Sequence, residues 1–308
     1  MSRVSLIARI KPWMLPIAMS AGVMFHEFID SIAFLSPYLI FAMLFITFSR
    51  LDMRQIQGGR FIWMLLGVQT LGAIALYLIL RPLNEIVAQG VFVCVFCPTA
   101  TAAPVITGML GGSVARLVTF SLVSNITVAV TAPALFAIIG GGEASWSSFF
   151  NDMSVIAGKV VPLLIAPLPC ALALRRFAPK VHRAVAGHQS LSFYIWAVAL
   201  FIVVGRAVSF AMAEPPEAIP SMLMLAAGAA LACGAQFAIG RRIGAATGDK
   251  IAGAQGLGQK NTVLAVWMAM TWLNPVTAIA PASYVAWQNT VNSLQLYYRT
   301  KKKCSATV

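Results

Sequence analysis

One lysine, Lys260, stands inside an apolar run, GLGQKNTVLAVWMA, ten residues beyond the next basic residue, Lys250. A lysine at the centre of a bilayer helix costs at least about 2.5–3.5 kcal/mol on insertion scales. It must therefore face a cavity, pair with a carboxylate, or give up its proton. Gln259, Asn261 and Thr262 flank it with amide and hydroxyl groups suited to a polar or anionic solute. Gly253, Gly256 and Gly258 precede it, and each glycine loosens a helix by about 1 kcal/mol relative to alanine. A second run, FCPTATAAPVITGMLGG, sets Thr99, Thr101 and Thr107 around Pro98 and Pro104. Proline removes a backbone donor and clashes with the preceding turn, so this helix should break as well. A third run carries Thr119, Ser121, Ser124, Asn125, Thr127 and Thr131. Spacing of i, i+3, i+4 places Ser121, Ser124 and Asn125 on one helical face. Helix packing and cavity lining account equally well for Asn125. Gln288, Asn289, Asn292 and Ser293 fall toward the end of a later span, where solvation accounts for them.

Other chemistries find little support. Cys94, Cys97, Cys170 and Cys233 lie in apolar runs and Cys304 in a basic tail. Cys94 and Cys97 have no second pair nearby, so small buried thiols are a simpler reading than a zinc or redox site. His26, His182 and His188 sit at span ends or in a connection. An intramembrane enzyme would need paired carboxylates, a Ser-His pair or histidine ligands at membrane depth. No set of that kind is seen, and the expectation is a non-enzyme with no cofactor and no metal.

The elements that must position these residues follow from composition. The 308 residues are 59% hydrophobic and 10% charged, with a mean hydropathy of +0.84. Soluble domains are about 45–50% apolar and about 25% charged, and so few charges cannot cover a soluble globule. Ten apolar runs can be marked off: 12–25, 32–48, 61–80, 91–110, 117–139, 154–174, 191–204, 220–239, 253–272 and 276–296. The runs are continuous rather than alternating, which argues against a barrel. The expected fold is an all-α polytopic membrane protein of ten transmembrane helices.

The net charge of +13, from 22 Lys+Arg against 9 Asp+Glu, would suggest nucleic acid in a soluble protein. Here its placement matters more. With the N-terminus cytoplasmic, alternation puts Arg3, Arg9, Lys11, Arg50, Arg54, Arg60, Arg116, Arg175, Arg176, Lys180, Arg183, Arg241, Arg242, Lys250, Arg299, Lys301, Lys302 and Lys303 inside. Arg81, Lys159 and Arg206 fall outside, as do the acids Glu27, Asp30, Glu85, Glu143, Asp152, Glu214 and Glu217. That asymmetry is what the positive-inside rule predicts, with both termini cytoplasmic. The basic start runs into an apolar stretch without a small-residue cleavage site, so the first span reads as a retained helix. The expected partners are the lipid bilayer and a small organic anion, and no nucleic acid.

The fourth and ninth spans are the interrupted ones. Pro98 and Gly256 are about 158 residues apart, close to half the chain. Five spans per half is odd, so the second half enters from the opposite side. Interrupted helices at matching positions of inverted halves, about 12–139 and 154–296, point to a transport site at the repeat interface. A channel would usually need oligomeric pore symmetry, and a sensor a soluble output domain.

CPTATAAPVITGMLGGSVARL, the Ala132-Pro133 corner after it, and GLGQKNTVLAVWMA resemble the bile acid:sodium symporter family in its bacterial branch. The resemblance implies a core domain from spans three to five and eight to ten, and a panel domain from spans one, two, six and seven. Substrate would bind between them near the crossing of the broken helices, and the domains would rock by alternating access. Sodium-coupled members have a Ser-Asn pair where Ala103 and Pro104 stand. Hydroxyls of the first sodium site fall at Leu117 and Ser121, so one is kept. The acidic residue shared by both sodium sites falls at Gly256. The glutamine of the second site falls at Lys260, while the adjacent asparagine is kept as Asn261. The expectation is a sodium-independent secondary transporter of a carboxylate-type anion. Lys260 would replace a sodium ion, and the protein would be either proton-linked or a facilitator. Substrate would meet Thr99, Thr101, Thr107, Ser121, Asn125, Gln259, Asn261 and Thr262. The alternatives are a sodium-coupled organic anion or bile acid symporter with non-standard ligands, a channel, or an intramembrane enzyme.

Overall fold

The computed structural model describes residues 14–29, 31–49, 51, 58–140, 146–187 and 189–305. Arg3, Arg9, Lys11, Asp30, Arg50, Arg54, Glu143 and His188 lie outside the described residues, as do the side chains of Lys301, Lys302, Lys303 and Cys304. Regular structure among the described residues is helical. The longer helices are α1 (Met14–Met24), α2 (Ser36–Phe48), α3 (Arg60–Leu80), α4 (Glu85–Phe96), α5 (Ala103–Leu110), α6 (Val114–Gly140) and α7 (Trp146–Ile165). They continue with α8 (Pro167–Phe177), α9 (Pro179–Gly187), α10 (Gln189–Ala213), α11 (Ile219–Ala246), α12 (Lys250–Gly258), α13 (Thr262–Trp272) and α14 (Ile279–Ser305).

Five of these stretches are long and apolar enough to cross a membrane: Arg60–Leu80, Val114–Gly140, Trp146–Phe177, Tyr194–Ala213 and Pro216–Ala246. Their outer faces are apolar as well, with Trp63, Leu78, Val130, Met212 and Leu231 exposed. That is the surface of a protein whose solvent is hydrocarbon. Water would penalise such a face by about 25 cal/mol per Å².

Several helices are longer than their apolar runs. Trp146–Phe177 encloses Lys159, Gln189–Ala213 encloses Arg206, and α11 carries Arg241 and Arg242 near its end. The sequence put Lys159 at the outer end of the sixth run and Arg206 in the connection after the seventh. A charge marks the end of an apolar run but does not end a backbone hydrogen-bond ladder, and long basic side chains lie along a helix surface. The Ala132-Pro133 pair likewise sits inside the continuous helix α6 rather than at a corner.

Packing brings α4 against α3, α11 and α14, while α12 lies along α11 and beside α6. Elsewhere α10 packs on α1 and α2, and α8 on α2. Phe92, Phe96 and Phe136 lock α4 to α6, with ring centroids 5.1 Å apart for the first two and 5.9 and 6.1 Å to Phe136. The glycines of α12 serve this packing rather than loosening the helix. A Cβ on Gly253 would lie 2.2 Å from the Gly240 carbonyl of α11, and one on Gly258 would lie 2.4 Å from the Phe237 ring.

Candidate functional site

Two helices stop short in the interior of the bundle, each for a local reason. Pro98 biases the residue before it toward extended backbone, and Cys97 has φ −54°, ψ 147°. The chain resumes as α5, with Pro104 in its first turn, where a missing N–H costs nothing. Further on, α12 ends at Gly258, and Asn261 starts α13 by accepting from the Leu264 N–H through its Oδ1. The fourth apolar run therefore begins earlier than read, at the Asn84 cap, and its break spans 97–102.

The two gaps meet. Thr99 and Lys260 pair as an antiparallel bridge. The Ala100 N–H donates to the Gln259 carbonyl at 3.0 Å, and the Asn261 N–H donates to the Pro98 carbonyl at 2.8 Å. Each broken helix thus borrows backbone partners from the other. Irregular backbone away from water needs this, because an unpaired polar group there costs several kcal/mol.

The broken ends leave carbonyls exposed at the C-termini of α4 and α12, and side chains satisfy them. Lys260 Nζ donates to the Val95 carbonyl at 2.7 Å and the Cys97 carbonyl at 2.9 Å. Gln69 Nε2 donates to the Phe96 carbonyl, and Gln69 Oε1 accepts from the Ser124 hydroxyl. On the other helix, Thr99 Oγ1 donates to the Gly256 carbonyl at 2.8 Å and the Tyr284 hydroxyl to the Gly258 carbonyl at 2.9 Å. Gln236 Nε2 reaches both Tyr284 Oη and the Cys94 carbonyl.

Lys260 is 1% exposed, and no carboxylate among the described residues lies within 4 Å of it. Its amine lies at the negative end of the α4 dipole, where a cation is favoured by up to about 2 kcal/mol. Two hydrogen bonds to a charged group add about 1.5–3 kcal/mol each. Together these terms are large enough to offset an insertion cost of about 2.5–3.5 kcal/mol for the side chain.

No protein-family model matches the chain, and a search of curated proteins finds no match.

Thr99, Gln259, Lys260 and Asn261 come together at the crossing, with Thr262 opening α13. Gln259 Nε2 donates to Gln255 Oε1 at 2.6 Å, and Gln255 in turn reaches Gln295. Ser121 and Asn125 share a face of α6, where Asn125 Nδ2 donates to the Ser121 carbonyl. Their neighbour Ser124 joins that face to the crossing through Gln69. Thr101 is half-buried in the turn before α5. Thr107 lies away from the crossing, where Gly112 and Ile251 meet. Four of these residues hold buried polar atoms with no hydrogen-bond partner: Thr107 Oγ1, Asn125 Oδ1, Asn261 Nδ2 and Thr262 Oγ1. Each unmet group costs about 1–3 kcal/mol. Buried polar atoms without partners often mark a place where something else supplies one.

Gln69, Gln236, Tyr284 and Gln288 belong to the same network and were not singled out in the sequence as site residues. Gln288 is a correction. It is 2% exposed, and its Oε1 accepts from the Lys260 N–H at 2.9 Å, so solvation does not explain it. Gln69 had a visible signal, a lone amide in an apolar run. It also sits on a π-helical turn, Val68–Gly72, a distortion frequent at functional sites.

Proposed function

We propose that this chain is a secondary transporter of a small carboxylate-type organic anion, working by alternating access without sodium. The reading includes ten spans arranged as two inverted repeats, with the crossing of α4–α5 and α12–α13 at their interface. The observation that carries it is the crossing itself: two helices interrupted in the interior, paired backbone to backbone through Thr99 and Lys260. Interrupted helices at the repeat interface are the usual site of substrate and coupling-ion binding in such folds. The N-cap residues fit the same symmetry, Asn84 opening α4 and Asp249 opening α12. The packing of α10 on α1 and α2, and of α8 on α2, supports a panel, and that of α4 on α3, α11 and α14, with α12 on α11 and α6, supports a core; α7, the first part of the sixth span, packs on α6 and joins the two.

Sodium independence rests on the carbonyl inventory. A sodium ion at a broken helix needs free oxygen ligands. The Val95, Phe96, Cys97, Gly256 and Gly258 carbonyls already accept from Lys260, Gln69, Thr99 and Tyr284. Lys260 supplies an internal positive group where the sodium-coupled symporters that the sequence resembles would hold a cation. With the N-termini of α5 and α13 close by, it favours an anionic solute.

The test is a thermal-shift screen of small carboxylates, including keto acids and pantoate-like hydroxy acids. It uses wild type and Lys260→Ala, in sodium and in choline buffers. A carboxylate that stabilises wild type equally in both salts, but not Lys260→Ala, is the expected result. Stabilisation that requires sodium would favour a sodium-coupled symporter instead. Equal stabilisation of both proteins would remove Lys260 from the site.

A further inference from the structure

A second polar site lies at the far end of α12 from the crossing, independent of the transport reading. A cavity of about 370 Å³ opens there, lined by Gly58, Gly59, Arg60, Phe61, Met64, Arg116, Ala246 and Thr247. That volume falls within the range of small-ligand sites, about 300–1,000 Å³. Two guanidinium groups contribute to its wall, and no carboxylate among the described residues lies within 4 Å of either. Arg116 is held in place: one terminal nitrogen donates to the Thr247 carbonyl at 2.7 Å, and the group lies 6.0 Å from the Phe61 ring centroid. Arg60 is exposed. The nearby carboxylate of Asp249 is committed elsewhere, accepting from the Ser113, Ile251 and Ala252 backbone N–H groups.

The rest of the wall is permissive. A Cβ on Gly58 or Gly59 would meet no atom within 4 Å, and Gly59 holds φ +138°, a conformation open to glycine and strained for other residues. The helix that starts at Arg60 is capped by Gly59, which has no side chain to offer its first N–H groups. Phe61, against which Arg116 lies, and Met64 and Ala246 add apolar lining, and Trp63 of the same helix is exposed. Arginine pairs bind phosphoryl oxygens in forked geometry. An apolar wall next to a basic pocket at the end of membrane-crossing helices matches the boundary at which lipid phosphates lie.

We infer that this cavity binds a net-anionic phosphoryl group through Arg60 and Arg116, supplied by either an acidic phospholipid headgroup or free phosphate. A zwitterionic headgroup is disfavoured, because its ammonium would face two guanidinium groups. Occupancy would brace the turn between α11 and α12, which Arg116 already contacts.

The test uses the full chain in phosphatidylcholine nanodiscs. One arm adds phosphatidylglycerol to the bilayer, the other adds inorganic phosphate to the buffer, and thermal unfolding is followed in each. The expected result is a rise in Tm of about 3 °C or more for wild type in at least one arm. Arg60→Gln and Arg116→Gln should lose most of that rise, while Arg60→Lys keeps part of it. Arg183→Gln, an exposed basic residue on α9 outside the cavity, should keep all of it. A rise with phosphatidylglycerol alone names the lipid as the source, and a rise with phosphate alone names the free ion. Absence of a rise in both arms, an unchanged rise in Arg60→Gln, or an equal loss in Arg183→Gln overturns the proposal. Should Arg116→Gln fail to fold, Arg60→Gln decides alone, because Arg60 is exposed.

Discussion

Lys260 cannot be shortened without uncovering two carbonyls at the end of α4. Lys260→Met keeps the apolar stem and removes both donors, leaving Val95 and Cys97 unpaired. The expected loss is about 1–3 kcal/mol for each carbonyl, measured as a lower midpoint of thermal unfolding in detergent. Thr99→Val should cost about 1–3 kcal/mol by the same route, because it removes the donor to the Gly256 carbonyl. Gln69→Leu uncovers the Phe96 carbonyl and also strips Ser124 of its acceptor, so it should destabilise at least as much. If these three variants unfold like wild type, the capping account is wrong. The sequence made Lys260 conspicuous because a charge in an apolar run is costly. It gave Tyr284 and Gln288 no such contrast, since a tyrosine or a glutamine near a span end has many ordinary explanations.

At the scale of elements, the glycines of α11 and α12 separate two readings that the sequence leaves mixed. Gly253→Ala places a methyl 2.2 Å from the Gly240 carbonyl. The helices must move apart, with an expected cost of at least about 1–3 kcal/mol. Gly234→Ala lies on α11 with nothing within 4 Å of its added methyl. It should instead stabilise by about 0.4–1 kcal/mol through the unfolded state. Thermal midpoints of the two variants should move in opposite directions, and movement in the same direction would return Gly253 to the role of a helix loosener. The break at Pro98 was legible because proline acts on its own neighbours. The break at Gln259 was legible only as a polar, glycine-rich cluster. Its extent depends on Asn261 capping α13 and on backbone partners that lie in the other half of the chain.

Over the whole molecule, the transport reading predicts indifference to sodium. Uptake of a stabilising carboxylate into proteoliposomes should be unchanged when choline replaces sodium on both sides. Lys260→Ala should abolish uptake, while Arg183→Gln, remote from the crossing, should leave it intact. A strong dependence on a sodium gradient would contradict the carbonyl inventory at the broken helix ends.

The sequence by itself determined that the chain is helical and apolar, which two segments are interrupted, and that one lysine stands where hydrocarbon would reject it. These are properties of composition and nearest neighbours, and they need no knowledge of what lies across the bundle. The tertiary structure decided what the interruptions are for. It set Thr99 against Lys260, gave the lysine two carbonyls in place of a carboxylate, and drew Gln69, Gln236, Tyr284 and Gln288 into the same network. The physical reason is that a broken helix must find its missing hydrogen-bond partners somewhere. Local sequence shows that partners are owed, and only the packing of distant segments shows which groups supply them.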